Sequence, residues 1–219
     1  DDDILVINKP AGLVVHPGSG VPSGTLVNGL AARFPDLRTI GDPLRLGLVH
    51  RLDKGTSGLL IVARTEKSLA NLKSQMKERK IRRQYFAVVA DHLESDKGIV
   101  DAPLGRDPRN PLKRAIIQNG KYARTHYEVE QRASTPFKVS MLACQLETGR
   151  THQIRVHLAA IGHPVLGDEL YGGRSEFNIE NRLSLHAQMI TFSHPETDTK
   201  VVMESPLPMD LMELKESFS

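Results

Sequence analysis

The chain of 219 residues is long enough for one or two ordinary domains. A hydrophobic fraction of 39% with 25% charged residues excludes a disordered or fibrous protein. No apolar run approaches the ~20 residues of a membrane-spanning helix, and the single cysteine, Cys144, excludes an internal disulfide and favours a cytoplasmic protein. Twenty-nine basic and 26 acidic residues leave a formal net charge of +3, which by itself indicates no nucleic-acid partner.

The first half of the chain alternates predicted strands and helices. Residues 4–7 form a short apolar strand, and residues 25–34 have the spacing of an amphipathic helix. The wholly apolar run 59–63 predicts a buried central strand. Thr65 then caps a helix that extends to about Lys80, followed by a strand over 81–90. The inward stripe of that helix consists of Leu69, Leu72 and Met76.

The second half adds strands at 125–130 and 139–147. A helix begins at Thr151, presents Ile154, Leu158 and Ile161 inward, and ends at Gly162. Strands outnumber helices and their connections are mixed, so we expect an α+β fold with a largely antiparallel mixed sheet and flanking helices and loops. Without repeats or low-complexity linkers, the chain is predicted to be one domain over 1–219.

Basic residues concentrate in two stretches. Residues 64–83 contain eight basic and two acidic residues, and residues 101–126 contain six and two. This segregation can build a field that attracts a polyanion. The charge distribution alone is equally consistent with a solvated helix face followed by a basic loop that binds no polyanion.

The first candidate site is the segment from His50 to Gly58. In an extended chain Arg51 and Asp53 project to the same side, about 6.6 Å apart along the backbone. Gly55 and Gly58 permit a turn that could hold the carboxylate at the edge of a cleft. A charged turn with a local ion pair is the alternative.

The second candidate site is the segment from Glu147 to His157. Arg155 lies on the flank of the apolar stripe of its helix, from which a guanidinium can reach a partly buried site, and His152 shares that side. A zinc site is excluded because His152 and His157 diverge and a His-Glu-x-x-His motif is absent. An amphipathic helix with polar residues facing water is the alternative.

Tyr85 is the third candidate. Strand alternation puts it on the face of Ile81 and Ala87, where an aromatic side chain either fills the core or stacks on a base beside a pocket. Phosphate-binding loops, dinucleotide-binding glycine motifs and nucleophile elbows are missing from the sequence. With one cysteine and scattered histidines, no catalytic metal is expected.

Taken together, these stretches resemble the RluA-type pseudouridine synthases, and within them the RluD-like branch that acts on large-subunit ribosomal RNA. The resemblance lies in segments that recur in the family's order over most of the chain: ILVINKP (4–10), HRLDKGTSG (50–58), RQY (83–85), TGRTHQIRVH (148–157), HPVLGDELYGG (163–173) and LHA (185–187). It implies a single pseudouridine-synthase-type catalytic domain that isomerises specific uridines in RNA.

By resemblance, the catalytic residues are Asp53, Tyr85 and Arg155. Asp53 is the aspartate acting on a flipped-out uridine, Tyr85 packs against the base and is implied in proton transfer, and Arg155 pairs with Asp53. Residues implied in substrate binding are His50, Arg51, Arg150 and His152. Asp168 and Tyr171 match a motif that supports the site. The resemblance implies no metal and no organic cofactor, RNA as the partner, no membrane, and a cytoplasmic monomer.

The sequence is also compatible with other activities. An ionised Asp53 suits a nucleophile or an electrostatic stabiliser, whereas a glycoside hydrolase needs two carboxylates and only one good candidate is evident. The other possibilities are a transfer RNA pseudouridine synthase, a catalytically inactive RNA-binding domain of the same fold, and an N-glycosidase. Many relatives on this branch carry an N-terminal S4-type RNA-binding module, which we expect to be absent from this chain.

Overall fold

The computed structural model describes residues 1–18, 20–173 and 182–218. In chain order these residues form β1 Ile4–Lys9, α1 Leu26–Arg33, a 3-10 helix Pro35–Thr39, β2 Ser57–Ala63, α2 Glu66–Lys77, β3 Arg82–Ala90, β4 Lys97–Asp101, β5 Leu104–Arg106, β6 Arg114–Ile116, β7 Arg124–Ala133, β8 Val139–Leu146, α3 Gln153–Ala160, β9 Leu185–Ser193, β10 Lys200–Glu204 and α4 Met209–Glu216. The predicted α+β class with a largely antiparallel sheet is confirmed. None of the described helices is long and apolar enough to cross a membrane.

The chain divides into two compact units. The first comprises Asp1–Arg83 with Ala187–Ser205, and the second comprises Gln84–His186 with Pro206–Ser219. That the whole chain acts as one domain stays a prediction.

The first unit is built on β2, whose seven residues are all buried. This confirms the strand predicted from the apolar run, and β1 pairs with it in antiparallel register from Ile4 opposite Ala63. Thr65 caps α2 as predicted, because its hydroxyl oxygen accepts the backbone N–H of Ser68 at 3.0 Å. Gln75 is buried where Met76 was expected.

The second unit contains the antiparallel strand order β3–β8–β7–β4 and the hairpin β5–β6. One face of β3 and β8 packs against α4, a helix that the sequence analysis did not predict. The residues of that core cluster include Phe86, Val88, Met141, Leu211 and Leu214. The opposite face of β3 carries Tyr85, as strand alternation predicts.

Two expectations about α3 were wrong. The helix begins at Gln153 instead of Thr151, because His152 adopts the left-handed conformation with φ of 59° and cannot be part of the helix. Ile161 is 38% exposed instead of facing inward, since it lies beyond the last helical residue, Ala160.

Candidate active site

Asp53 lies in a turn that leads into β2. The backbone N–H of Thr56 donates to the Asp53 carbonyl oxygen at 3.2 Å, and the buried side chain of Leu52 anchors the turn before it. Gly58 has a φ of 105°, and a Cβ atom there would lie 2.2 Å from the Ala187 carbonyl oxygen, so only glycine fits. Asp53 itself is half-buried.

A buried ammonium group supports this turn from below. Lys9 is fully buried, and its Nζ donates to the carbonyl oxygens of Pro10 at 2.7 Å, Leu13 at 2.9 Å and Lys54 at 3.3 Å. The backbone N–H of Gly12 donates to the same Lys54 carbonyl at 2.8 Å. A buried cation is tolerated only when it is hydrogen-bonded, so Lys9 ties the chain after β1 to the residue that follows Asp53.

Arg51 is exposed beside this turn, and its Nη1 atom lies 3.5 Å from the Nε2 atom of His16. Burial, followed by the charge of Arg51, lowers the pKa of His16 below its ordinary value of 6.5. A neutral His16 ring can accept a hydrogen bond from the guanidinium and orient it. His16 was missed by the sequence analysis because it is 35 residues away in the chain.

The ring of His50 faces β2. The backbone N–H of Ile61 donates to its Nε2 atom at 3.2 Å. Its Nδ1 atom is buried and has no hydrogen-bond partner among the described residues. Burial, followed by the positive charge of Arg83, lowers the pKa of His50 to about 3, so the imidazole is neutral at physiological pH.

In the second unit, Tyr85 is 4% exposed and stands opposite Cys144 in the register of β3 and β8. Cys144 is fully buried, and burial raises the pKa of its thiol to about 12. The thiol is therefore protonated and unreactive in the native protein.

The residues before α3 are held by the side chain of Gln153. Its Oε1 atom accepts from the Arg150 backbone N–H at 3.0 Å and from the Thr148 hydroxyl at 2.8 Å. Its Nε2 atom donates to the Arg124 carbonyl at 3.0 Å and to the Thr125 hydroxyl at 3.1 Å. All four hydrogen-bonding positions of the amide are used, so Gln153 fixes the loop that carries Arg150 and His152.

Arg155 forms a bidentate ion pair with Asp168. Its Nε atom donates to Asp168 Oδ2 at 2.6 Å and its terminal nitrogen donates to Oδ1 at 2.8 Å. The two side chains are 12% and 0% exposed, respectively. This contact shows how Asp168 supports the neighbouring residues, and it fixes the direction of the guanidinium. The expected pairing of Arg155 with Asp53 stays a prediction.

Tyr171 connects α3 to the β5–β6 hairpin. Its hydroxyl oxygen accepts the backbone N–H of Arg114 at 2.7 Å and shares a hydrogen bond with His152 Nδ1 at 2.8 Å. The Arg155 guanidinium lies 5.1 Å from the centre of the Tyr171 ring, within the range of a cation–π contact. Arg155, Asp168, Tyr171 and His152 therefore form one contiguous cluster, whereas Arg150 is exposed and donates to the Tyr122 carbonyl.

The two basic stretches differ in how much of their charge is available. On and beside α2, Lys67 pairs with Glu196 and Lys80 pairs with Glu78, and Arg83 is buried. The basic hairpin, defined here as residues 104–121, carries five basic side chains that form no ion pair within the described part of the chain. These are Arg106, Arg109, Lys113, Arg114 and Lys121.

One group of potential metal ligands occurs in the described residues, formed by Asp1, Asp3 and His194. His194 Nε2 already bonds to an Asp1 carboxylate oxygen at 3.0 Å. The group includes none of the residues discussed above, and exposed acidic groups of this kind are common without an ion, so we assign no metal to it.

Comparison with known proteins identifies similar sequences over nearly the whole chain. A family model described as RNA pseudouridylate synthase matches residues 3–160. The chain is 46% identical over 217 residues to the uncharacterized RNA pseudouridine synthase YlyB of Bacillus subtilis, covering 99% of this chain and 70% of that protein. It is 46% identical over 221 residues to ribosomal large subunit pseudouridine synthase D of Nitrosomonas europaea, covering 98% and 62%.

Among solved structures, human RNA pseudouridylate synthase domain containing 1 is similar, with a TM-score of 0.77 and 30% identity, covering all of this chain and 85% of that one. The chain spans 58–70% of the length of eight curated relatives that it matches, YlyB and the Nitrosomonas protein among them.

Proposed function

Because the chain belongs to the RNA pseudouridylate synthase family, we propose that it converts uridine to pseudouridine in RNA, and that the RNA is that of the large ribosomal subunit. The observation that carries the activity is the family match over residues 3–160, which includes Asp53, Tyr85 and Arg155. The choice of RNA is supported by several relatives 43–46% identical to this chain that are named ribosomal large subunit pseudouridine synthase D.

The proposed reaction is an isomerisation within one nucleotide. The bond between N1 of uracil and C1′ of the ribose breaks, and a bond between C5 and C1′ forms. C5 loses its proton to solvent and N1 gains one, so no oxidant, reductant or water is consumed. Water must be kept from the sugar during the exchange, which requires a dry pocket around the flipped-out base.

Asp53 would act on the nucleotide as a nucleophile or as an electrostatic stabiliser. The turn held by Lys9, Gly12 and Thr56 supports this role because it places a half-buried aspartate on a fixed backbone. Arg155 would pair with that carboxylate, and its ion pair with Asp168 would keep the guanidinium in position. Tyr85 would pack against the uracil ring, and Arg51, oriented by His16, would hold the nucleotide outside the stack.

The basic hairpin would bind phosphates on either side of the target nucleotide. Its five basic side chains, which form no ion pair with any residue that the structure describes, can offset the few kcal/mol that extruding a base costs. Contacts of this kind weaken steeply as salt concentration rises. Binding that did not change between low and moderate salt would contradict this assignment.

We also infer that the protein works in the cytoplasm, because ribosomal RNA is modified where ribosomes are assembled, and that it works as a monomer. Light scattering should give the mass of a single chain.

Tritium release from RNA labelled at uridine C5 tests the proposed function. Wild type and Asp53→Asn are compared on ribosomal and transfer RNA transcripts. We expect release by wild type from the ribosomal transcript and none by Asp53→Asn. Release from transfer RNA alone would overturn the choice of substrate. Binding without release from ribosomal transcripts or assembled subunits would identify a domain that only binds RNA, and free uracil would identify an N-glycosidase.

A further inference from the structure

The segment 47–50 runs antiparallel to the last part of β2. The Ala63 N–H donates to the Gly47 carbonyl at 2.9 Å, Leu48 bridges Val62, and the Val49 N–H donates to the Ile61 carbonyl at 3.4 Å. In a regular antiparallel pair the Ile61 N–H would return a bond to the Val49 carbonyl. It instead donates to the ring of His50 at 3.2 Å. The His50 side chain thus takes the place of a backbone carbonyl at the point where the strand pairing ends.

The direction of this bond defines the tautomer of His50. A nitrogen that accepts from a backbone N–H must carry a free lone pair, so the proton of the neutral ring is on Nδ1. Nδ1 is buried, and the depressed pKa, caused by burial and by Arg83, keeps the ring neutral. One ring nitrogen is therefore occupied by Ile61 and the other is enclosed by the protein, which leaves neither one facing a substrate.

The turn after His50 is fixed at its other end as well. Beyond Asp53, the Lys54 carbonyl accepts from Gly12 and from Lys9. Asp53 follows His50 by only three positions in the chain. Loss of the Ile61–His50 bond, or of the bonds to the Lys54 carbonyl, would therefore let the Asp53 carboxylate shift.

We propose that His50 is a positioning residue for Asp53. The His50 imidazole ends the pairing of segment 47–50 with β2 and directs the chain into the Asp53 turn. This inference rests on the proposed function for its effect on catalysis, but its structural part does not. It replaces the direct contact with RNA that the family resemblance implies for His50.

Two substitutions separate the positioning role from RNA contact. In His50→Gln the side-chain Oε1 can reach the position of Nε2 and accept the Ile61 N–H, whereas the shorter side chain of His50→Asn cannot. For His50→Asn we expect kcat to fall roughly 10–100-fold, as for a small misplacement of a reacting group, with KM unchanged. His50→Gln should keep most of the turnover that His50→Asn loses.

Thermal denaturation provides the stability control. His50→Asn leaves the buried Ile61 N–H without a partner and should lower Tm by roughly 3–10 °C, so kcat is measured well below both Tm values. His92→Asn is the matched control, because His92 is also half-buried and bonds to a backbone group, the Ala133 carbonyl at 2.8 Å. It should leave kcat unchanged.

Nuclear magnetic resonance of the full-length protein with ¹⁵N-labelled histidine tests the tautomer without any assay of activity. The signals that disappear in His50→Gln identify His50 among the nine histidines, and we expect a protonated Nδ1 and an unprotonated Nε2. The opposite tautomer, or a raised KM with unchanged kcat in His50→Asn, would overturn the inference. If wild type released no tritium, the proposed function would fail. The tautomer measured by NMR would still test whether His50 accepts the Ile61 N–H.

Discussion

Replacing Asp168 by asparagine removes the charge that Arg155 faces while hardly changing the size of the side chain. The Asp168 carboxylate is fully buried, and besides Arg155 it accepts the backbone N–H groups of Leu170 at 3.2 Å and Tyr171 at 3.3 Å through Oδ1. An amide can keep the bonds to Oδ1 but turns an NH₂ group toward the Nε–H of Arg155. The guanidinium, whose side chain is 12% exposed, then loses the counter-charge of Asp168.

The expected loss in the free energy of unfolding is about 3–5 kcal/mol, the cost of breaking a buried ion pair by removing one partner. For a protein of this size the corresponding fall in Tm is roughly 6–20 °C. Asp101→Asn is the matched control, since Asp101 also pairs with an arginine, Arg124, but their side chains are 42% and 35% exposed. An exposed pair contributes about 0–1 kcal/mol, so this variant should remain close to wild type.

Urea denaturation of Asp168→Asn, Arg155→Met and the double variant measures the coupling between the two residues. We expect a coupling free energy of at least ~1 kcal/mol, because either single change breaks the same buried ion pair. Single losses that simply add in the double variant, to within ~0.5 kcal/mol, would refute the ion pair as a stabilising contact. Tritium release by the same variants then shows whether a loosened Arg155 also lowers kcat.

Four other variants, one of them with a matched control, test separate parts of the protein. Asp53→Asn should abolish tritium release while RNA binding, measured by filter retention, stays within about threefold of wild type. Tyr85→Phe keeps the ring, so turnover near that of wild type would show that the hydroxyl is dispensable, whereas a large loss would assign it a proton transfer. Arg109→Gln should weaken RNA binding and reduce the slope of log affinity against log salt by about 0.7–0.9 for each phosphate that the protein no longer neutralises. Lys97→Gln is the control, because Lys97 pairs with Glu128, and it should change neither the affinity nor the slope. The pKa of His50 is about 3 in the folded protein and 6.5 for the free side chain, so the unfolded chain binds a proton first as the pH falls. Wild type should therefore lose stability below about pH 6.5, and His50→Gln should lose less, by up to about 1.4 kcal/mol per pH unit. Identical pH profiles of the two proteins would contradict the burial of that ring.

Local patterns predicted the parts of the fold that depend on neighbouring residues. The apolar run 59–63 identified β2, the Thr65 hydroxyl identified the start of α2, and strand alternation placed Tyr85 on the correct face. Each of these depends on contacts within a few residues along the chain, or on burial that composition already indicates.

Contacts between distant segments could not be predicted in this way. Gln75 is buried in place of Met76 because its amide pairs with the backbone of Ser193, 118 residues away, through bonds of 2.8 and 3.0 Å. In the same way Asp168 meets Arg155 across the loop that follows α3. Periodicity ranks a glutamine as polar and outward-facing, and it carries no information about a partner supplied by another strand.

The single cysteine of the chain gives the protein a natural reporter of its own opening motions. Cys144 is enclosed between β3 and β7, and its protonated thiol cannot react until the strands around it separate. The rate at which a thiol reagent modifies the native protein therefore measures how often this sheet opens locally, without any engineered label. Tyr85 lies directly opposite Cys144 on β3. If RNA binding makes local opening around Tyr85 rarer, the rate of Cys144 labelling should fall by the same factor.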